Sequence, residues 1–233
     1  MGSVNLGVIL MLKYTFYGHA CFLLDDGEYK ILVDPFLSGN PQATISPKDV
    51  EANYILVSHA HDDHLGDAPE IATRVDAEVV AIPEVLTLCT SRVEKAIKAD
   101  PMNLGGTLNL PFGVVRMVPA LHSSGVEGGI ACGFVIKIFG KTIYYAGDTA
   151  LFSDMKLIGE RDSIDYAILP IGDNYTMGIE DAAKAVKLLN VKNVIPLHYN
   201  TWGVISQNPE KFRKLVTGAE VYVVKPGQTI DLA

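Results

Sequence analysis

YILVSHAHDDHLG, the sequence of residues 54–66, joins a short apolar run to a loop crowded with histidine and aspartate. The apolar run, Tyr54–Val57, contains β-branched residues and predicts a buried strand. A loop that leaves the end of a buried strand starts from a rigid anchor and can hold its side chains in fixed positions. The stretch therefore predicts a site at the carboxyl end of a strand.

The loop itself has the composition of a metal site. His59 and His61 are two residues apart, so both imidazoles can point the same way while the residue between them points away. Asp63 and His64 follow in the next turn, and divalent cations accept this mixture of imidazole and carboxylate. A simpler interpretation is a polar loop that caps the following helix through Asp62 or Asp63.

Three further polar residues stand where apolar runs end. They are His122 after Val114–Leu121, Asp148 after Ile143–Gly147, and His198 after Val194–Leu197. Each one alone has a simpler account as a hydrogen-bonded structural residue. Together with the loop they exceed the donors that one tetrahedral ion takes, which favours two ions that share a bridging ligand.

The order of predicted elements indicates the fold class. Strands come first, including a hairpin of Cys21–Leu24 and Tyr29–Val33, and strands then alternate with helices. The predicted helices are Ala68–Val75, Pro83–Lys98, Leu151–Gly159, Ile179–Leu189 and Pro209–Val216. This order is typical of an α/β fold with sheet packed on sheet and helices outside. The proline-rich stretch 35–48 predicts an irregular loop, either a lid over the site or an ordinary connection.

Composition and charge set limits on partners and location. The chain has 233 residues, of which 48% are apolar and 20% charged, and no linker is evident, so we expect one domain over residues 11–233. A formal charge of -8 argues against nucleic acid or an anionic membrane as a nonspecific partner. Residues 1–10 have no basic start or cleavage pattern, and we interpret them as a disordered extension or cloning remnant. The oligomeric state is open, and a homo-oligomer is compatible with the sequence.

The three cysteines are widely spaced and do not form the paired spacing of a structural zinc site. They favour buried thiols in a reducing cytoplasm, which is the predicted location.

The pattern His-x-His-x-Asp-His at residues 59–64 resembles that of the metallo-β-lactamase superfamily. A closer resemblance, covering nearly the whole chain, is to the uncharacterised metal-dependent hydrolases related to ascorbate-phosphate lactonase. The runs that carry it are Gly18–Ala20, Val33–Phe36, Tyr145–Thr149, Pro170–Asn174, Thr176–Gly178 and His198–Trp202. The resemblance implies a four-layer αββα sandwich, with zinc, manganese or nickel as the metal.

The resemblance also implies a division of the ligands. His59, His61 and His122 would hold the first metal, Asp63, His64 and His198 the second, and Asp148 would bridge them. A cysteine at the bridging position would suit a β-lactamase and a glutamate in place of His61 a redox di-iron protein. This chain has Asp148 and His61, which favours a hydrolase of the phosphodiesterase, lactonase or thioesterase type.

The expected activity is dinuclear, metal-dependent hydrolysis, in which a metal-bound hydroxide cleaves a small-molecule ester, lactone or phosphodiester. Asp63 would ligate and also aim the hydroxide. His19 would donate a proton to the leaving group or hold the substrate, or make only a structural hydrogen bond. Asp34 would fix a ligand imidazole or form a turn before Pro35.

Five residues that follow later strands are expected to line the pocket, namely Asp173, Asn174, Tyr199, Asn200 and Trp202. Two other functions stay open at this point. A nuclease would use the same metals but needs a basic track. A metal-binding module without turnover would have a closed coordination sphere.

Overall fold

The computed structural model describes residues 11–233, so the extension predicted for residues 1–10 lies outside the described residues. Within that range the strands form two sheets. The first has the order β14-β1-β2-β3-β4-β5-β6, made of β1 (Leu12–Gly18), β2 (Cys21–Asp25), β3 (Lys30–Val33), β4 (Tyr54–Leu56), β5 (Glu78–Ala81), β6 (Lys98–Pro101) and β14 (Thr229–Leu232).

The second sheet has the order β13-β12-β11-β10-β9-β8-β7. Its strands are β7 (Thr107–Leu110), β8 (Gly113–Pro119), β9 (Cys132–Ile138), β10 (Lys141–Tyr145), β11 (Tyr166–Pro170), β12 (Asn193–Leu197) and β13 (Glu220–Val221). The helices are α1 (Asp62–Leu65), α2 (Ala68–Val75), α3 (Pro83–Ser91), α4 (Met155–Asp162), α5 (Ile179–Leu189) and α6 (Pro209–Leu215).

The sheets pack face to face with the helices outside. Phe22 of β2 makes an edge contact with Tyr145 of β10, with ring centroids 5.2 Å apart, across the shared core. Helices α2 and α3 pack against β5 of the first sheet, while α4, α5 and α6 cover the other face of the second sheet. The predicted α/β class and the order of layers, helix, sheet, sheet and helix, are confirmed.

Each sheet brings the ends of its site strands to one edge. Strands β3 and β4 run parallel, as do β10, β11 and β12, so the segments that follow them leave on the same side. Strand β1 runs in the direction of β3, and β8 in the direction of β10, because one antiparallel neighbour separates each pair. The carboxyl ends of these seven strands therefore meet where the two sheets face each other.

Several predicted elements match the structure, but the helix predicted at Leu151–Gly159 forms later, at Met155–Asp162, and one prediction is wrong in its second half. Helices Ala68–Val75 and Ile179–Leu189 have the predicted bounds. The helix predicted to reach Lys98 ends at Ser91, where the hydroxyls of Thr90 and Ser91 donate to helix carbonyls and compete with the backbone pattern. Residues Lys98–Pro101 instead pair with β5 as a strand at the edge of the sheet.

The predicted buried thiols are confirmed, since Cys21, Cys89 and Cys132 are free and buried. None of the helices found between residues 11 and 233 combines the length and the apolar character needed to span a bilayer.

Candidate metal centre

The histidine loop leaves β4 and turns directly into the short helix α1. His61 occupies the N-cap position without a side-chain capping bond, so neither Asp62 nor Asp63 caps this helix. Asp62 instead faces solvent and pairs with Arg92 at 3.2 Å. Asp63 and His64 lie in the first turn and point back toward the strand ends. The capping interpretation of the loop is therefore wrong, and its donors are free for another use.

One carboxylate oxygen lies at the middle of the cluster. Oδ2 of Asp148 is 3.1 Å from Nε2 of His198, 3.3 Å from Nε2 of His64 and 3.6 Å from Nε2 of His122. Gly147 makes this position reachable, because its φ is 62° and an added Cβ would come within 2.4 Å of the Cys132 carbonyl oxygen. Asp148 thus joins imidazoles that come from three different loops.

The three histidines assigned to the first metal form one half of the cluster. Nε2 of His59 faces Nδ1 of His61 at 2.9 Å, and the His122 ring lies 5.2 Å and 5.1 Å from those two rings. Gly125 packs directly against this loop, since an added Cβ there would lie 2.6 Å from the His61 ring. The glycine-rich segment after His122 therefore supports the motif loop.

Asp34 anchors the motif loop to the core through three hydrogen bonds. Its Oδ2 accepts hydrogen bonds from Ser58 Oγ at 2.6 Å, Tyr145 OH at 2.6 Å and His64 Nδ1 at 2.7 Å. This hydrogen bond of His64 Nδ1 leaves Nε2 aimed at the cluster. Since Ser58 Oγ donates to Asp34, it accepts from His59 Nδ1 at 3.0 Å and fixes that imidazole in the same way.

His19 lies behind the cluster rather than at its surface. Its side chain is fully buried and packs against His198 with the rings tilted by 46° and their centroids 4.0 Å apart. Nε2 lies 3.1 Å from Asp63 Oδ2, and Nδ1 lies 2.7 Å from Thr201 Oγ1. The structure does not place His19 against the cavity, where a proton donor to the leaving group would have to be. Gln42 of the loop 35–48 accepts a hydrogen bond from the backbone N–H of this histidine.

Burial keeps several of these imidazoles neutral. Desolvation lowers the pKa of His59 well below its usual value and also lowers the pKa of His122. Burial, with the nearby His198, lowers the pKa of His19 to about 4. A neutral imidazole has one bare ring nitrogen, which is the form that binds a cation.

The pKa values of the buried Asp148 and of its partner His64 shift in opposite directions. Burial alone would raise the pKa of Asp148, but His198 and His64 hold that pKa well below its ordinary value. Burial would lower the pKa of His64, but Asp148 and Asp34 raise it above its ordinary value. The site therefore holds anionic carboxylates that favour positive charge at this point, and a cation would supply it.

A cavity of about 360 Å³ opens beside the cluster. Trp202 is the one residue of the predicted pocket group that lines it; Asp173, Asn174, Tyr199 and Asn200 do not. Asn200 instead accepts a hydrogen bond from the Gln207 backbone, a structural role. The complete lining is His61, Asp63, His122, Ser123, Asp148, Tyr175, His198 and Trp202.

Sequence reasoning missed Ser123 and Tyr175 in this lining. Ser123 directly follows His122, and its Oγ lies 3.3 Å from Nε2 of His61. Tyr175 stands between two of the runs that carry the family resemblance, which is the signal that could have identified it.

Several buried polar atoms of the cluster have no hydrogen-bond partner, and they indicate whether a metal ion fits the site. Nε2 of His64, both ring nitrogens of His198 and Oδ1 of Asp148 are buried without a hydrogen bond. Such atoms are costly unless another group satisfies them. Donor atoms in three groups also lie within 4.8 Å of one another, namely His59 with His61 and His122, His59 with His64 and Asp148, and His19 with Asp63, His64 and His198. Atoms that share one ion are about 3–4 Å apart at zinc–nitrogen distances, so the residues fit divalent cations.

The fold and this site define the class of protein. A family model described as the beta-lactamase superfamily domain matches residues 29–199. The chain belongs to that superfamily. The metallo-beta-lactamase fold protein YhfI of Bacillus subtilis, at 16% identity, shares the fold with a TM-score of 0.74 over 94% of this chain and 99% of that chain.

Two more similar proteins narrow the family. A UPF0173 metal-dependent hydrolase of Natranaerobius thermophilus is 49% identical over 224 residues, covering 95% of this chain and all of that protein. Igni18, a metallo hydrolase from Ignicoccus hospitalis, is 36% identical with a TM-score of 0.87, over 94% of this chain and 97% of that one. Within the superfamily, the chain belongs to the family of UPF0173 metal-dependent hydrolases, and the resemblance drawn from the sequence is confirmed.

Proposed function

We propose that this chain holds two divalent cations and hydrolyses a small-molecule ester or lactone, with a phosphodiester as the second candidate. Zinc, manganese and nickel are the candidate metals. His59, His61 and His122 would hold the first cation, and Asp63, His64 and His198 the second. Asp148 would bridge the two.

The position of Asp148 carries the proposal. A single oxygen of this carboxylate lies within 3.6 Å of Nε2 atoms from both proposed ligand groups. A carboxylate oxygen in that place can contact two cations at once, whereas one tetrahedral ion would leave several of these donors unused. The buried atoms without hydrogen bonds lie around the same carboxylate.

The chain's own residues prepare the site for hydrolysis. When bound, the cations lower the pKa of a coordinated water toward neutrality and polarise the oxygen of the scissile group. Asp63 lines the cavity with a side chain that is 25% exposed, so its carboxylate can accept a hydrogen bond from the attacking water and aim it. Asp34 and Ser58 keep the imidazoles of His64 and His59 in fixed orientations.

The cavity wall favours an uncharged substrate. Tyr175 and Trp202 present aromatic rings to it, and both remain partly exposed. Within residues 11–233, no lysine or arginine lines this cavity. A phosphodiester or a nucleic-acid strand would find no cationic side chain there to hold its phosphate. Aromatic walls suit an apolar acyl or leaving group, so we favour an ester or lactone.

The open cavity also favours an enzyme with turnover over a module that only binds metal. A binding module has no need for space beside its ligands, whereas a volume of about 360 Å³ suffices for a small substrate.

The test is metal-dependent turnover on a substrate panel. Metal-free protein would be reconstituted separately with Zn²⁺, Mn²⁺ and Ni²⁺ and assayed on esters, lactones, phosphodiesters, DNA and RNA. Asp63→Asn should lower kcat/KM by ~10²–10⁴-fold, the usual contribution of a positioned acid–base group. Asp62→Asn is the matched control, because Asp62 is exposed and paired with Arg92, and it should leave kcat/KM unchanged.

Two results would contradict the proposal. Salt-sensitive cleavage confined to DNA or RNA would indicate a nuclease. Tight metal binding without turnover on any member of the panel would indicate a binding module.

A further inference from the structure

His19 is the histidine that the family pattern leaves without a role. It follows β1 directly, in a left-handed backbone conformation with φ 57° that non-glycine residues seldom adopt. Its imidazole is fully buried against His198, and its Nε2 faces Asp63 Oδ2 at 3.1 Å. The question is which ring nitrogen carries the proton.

The side chain of Gln42 provides the starting point. Its Oε1 accepts a hydrogen bond from the backbone N–H of His19 at 2.9 Å, and its Nε2 donates to the Tyr199 carbonyl at 3.1 Å. A backbone N–H can only donate and a carbonyl can only accept, so these two contacts fix the orientation of the amide. The oxygen of Gln42 therefore faces Thr201.

Thr201 transmits this orientation to His19. Its hydroxyl donates to Gln42 Oε1 at 3.2 Å, because that oxygen has no proton to give. With its single proton used, Thr201 Oγ1 accepts from Nδ1 of His19 at 2.7 Å. The chain of hydrogen bonds therefore places a ring proton on Nδ1. Nε2 of His19 is then the ring nitrogen left to bind a cation.

A bare nitrogen opposite a carboxylate oxygen needs positive charge between them. A lone pair on an unprotonated Nε2 of the buried His19 and one on the partly exposed Asp63 carboxylate repel each other at 3.1 Å. Nε2 of His19 also belongs to a group of ligand atoms, with those of Asp63, His64 and His198, that all lie within 4.8 Å of one another. We infer that Nε2 of His19 is a ligand of the second cation, held toward it by Thr201 and Gln42. This inference rests on the pair of cations in the proposed function.

The assignment makes the two cations unequal. The second would have His19, Asp63, His64, His198 and Asp148 as donors, and the first His59, His61, His122 and Asp148. All six histidines of the chain then serve the metal pair. A five-donor site of imidazoles and carboxylates suits an ion with five or six ligands, such as Mn²⁺ or Ni²⁺, and the first site keeps more room for water and substrate.

The alternative is that His19 Nε2–H donates to Asp63 and only positions it. In a neutral His19 that arrangement requires Thr201 to donate to Nδ1, which leaves the oxygens of Thr201 and Gln42 facing each other without a proton at 3.2 Å. A protonated His19 would instead donate from both ring nitrogens, to Thr201 and to Asp63, and would bind no cation. The two arrangements predict different histidine spectra.

The deciding experiment loads ¹⁵N-labelled full-length protein with ¹¹³Cd²⁺ and records histidine ring spectra. We expect cadmium–nitrogen coupling on all six imidazoles, with the His19 signal assigned by its loss in His19→Gln. Five coupled imidazoles and an uncoupled His19 would overturn the inference while leaving the pair of cations intact. Protein that takes up neither Cd²⁺ nor Zn²⁺ would overturn both this inference and the proposed function.

Zinc affinity gives a second measurement. Competition with a chromophoric chelator should show that His19→Gln weakens the second Zn²⁺ equivalent by at least ~10-fold and leaves the first unchanged. Thr201→Val should act in the same direction, because it removes the partner of Nδ1. Circular dichroism and thermal unfolding of the metal-free variants check that the fold is kept. Equal binding of two Zn²⁺ by wild type and His19→Gln would contradict the inference.

Discussion

The two proposed ligand groups differ in how they are held. In the first group, His61 and His122 line the cavity, and the His122 side chain is 14% exposed. In the second group, the side chains of His64 and His198 are 0% and 1% exposed. We refer to the imidazoles of His61 and His122 as the open half and to those of His64 and His198 as the enclosed half. Asp63 and His198 of the second group also reach the cavity, where Asp63 is 25% exposed.

His64 of the enclosed half is also more firmly tied than His61 of the open half. Asp34 anchors His64 through a hydrogen bond of 2.7 Å, while the contact of His61 with Ser123 is longer at 3.3 Å. We therefore expect the enclosed half to fix the geometry of the site and the open half to admit substrate. Four substitutions test this division.

Asp148→Asn should have the largest effect, because it removes the negative charge that joins the two halves. We expect kcat/KM to fall by at least ~10³-fold, since metal-ion catalysis contributes several kcal/mol, and bound zinc to fall below two per chain. Steady-state kinetics and elemental analysis measure these effects. Asp173→Asn is the control, because this aspartate also follows a strand but does not line the cavity; an equal loss there would contradict the bridging role.

Asp34→Ala should destabilise the enclosed half even in metal-free protein. It leaves Ser58, Tyr145 and His64 without their shared acceptor, and removing one partner from such a buried network costs about 3 kcal/mol. Urea unfolding of metal-free protein measures the free energy of unfolding. An unchanged value would show that Asp34 does not anchor the enclosed half.

Tyr145→Phe removes one donor to Asp34 and should lower the free energy of unfolding by about 1.5 kcal/mol. Tyr144→Phe is a close control, because Tyr144 is buried next along the strand and its hydroxyl has no hydrogen-bond partner among the described residues. That variant should be neutral or more stable by about 1 kcal/mol. Equal losses in the two variants would mean that ring packing, not the bond to Asp34, sets the effect.

Trp202→Ala should have the smallest effect, confined to the open half. Loss of an aromatic wall should lower kcat/KM for a phenyl ester by about fivefold, equivalent to about 1 kcal/mol, with metal content unchanged. Val204→Ala, an exposed residue two positions on that does not line the cavity, serves as the control. A change in metal content in Trp202→Ala would show that the two halves are not independent.

Much of the fold follows from local patterns in the sequence. The helices Ala68–Val75 and Ile179–Leu189 are set by their own residues, and they form as predicted. The local pattern failed at Lys98–Pro101, where the backbone groups at the edge of β5 pair with a polar segment and make it a strand. Pairing with a neighbour can override the preference of the segment itself.

The candidate site was likewise predictable from the sequence only in part. The strand ends that carry His59, His122, Asp148 and His198 are visible in the sequence, and the sheets bring these residues together. The cavity wall was less predictable, since Tyr175 lines it and Asp173, two positions earlier, does not. Loop residues turn according to contacts made by other loops, and those contacts have no local signature.

By itself, the sequence determined which donors this protein has and that they stand at the ends of strands, because strand periodicity and residue type are local properties. Only the tertiary structure decided which ring nitrogen of each histidine faces the centre. That choice depends on hydrogen bonds to distant acceptors, from His64 to Asp34 and from His19 to Thr201, which are made when the two sheets pack together.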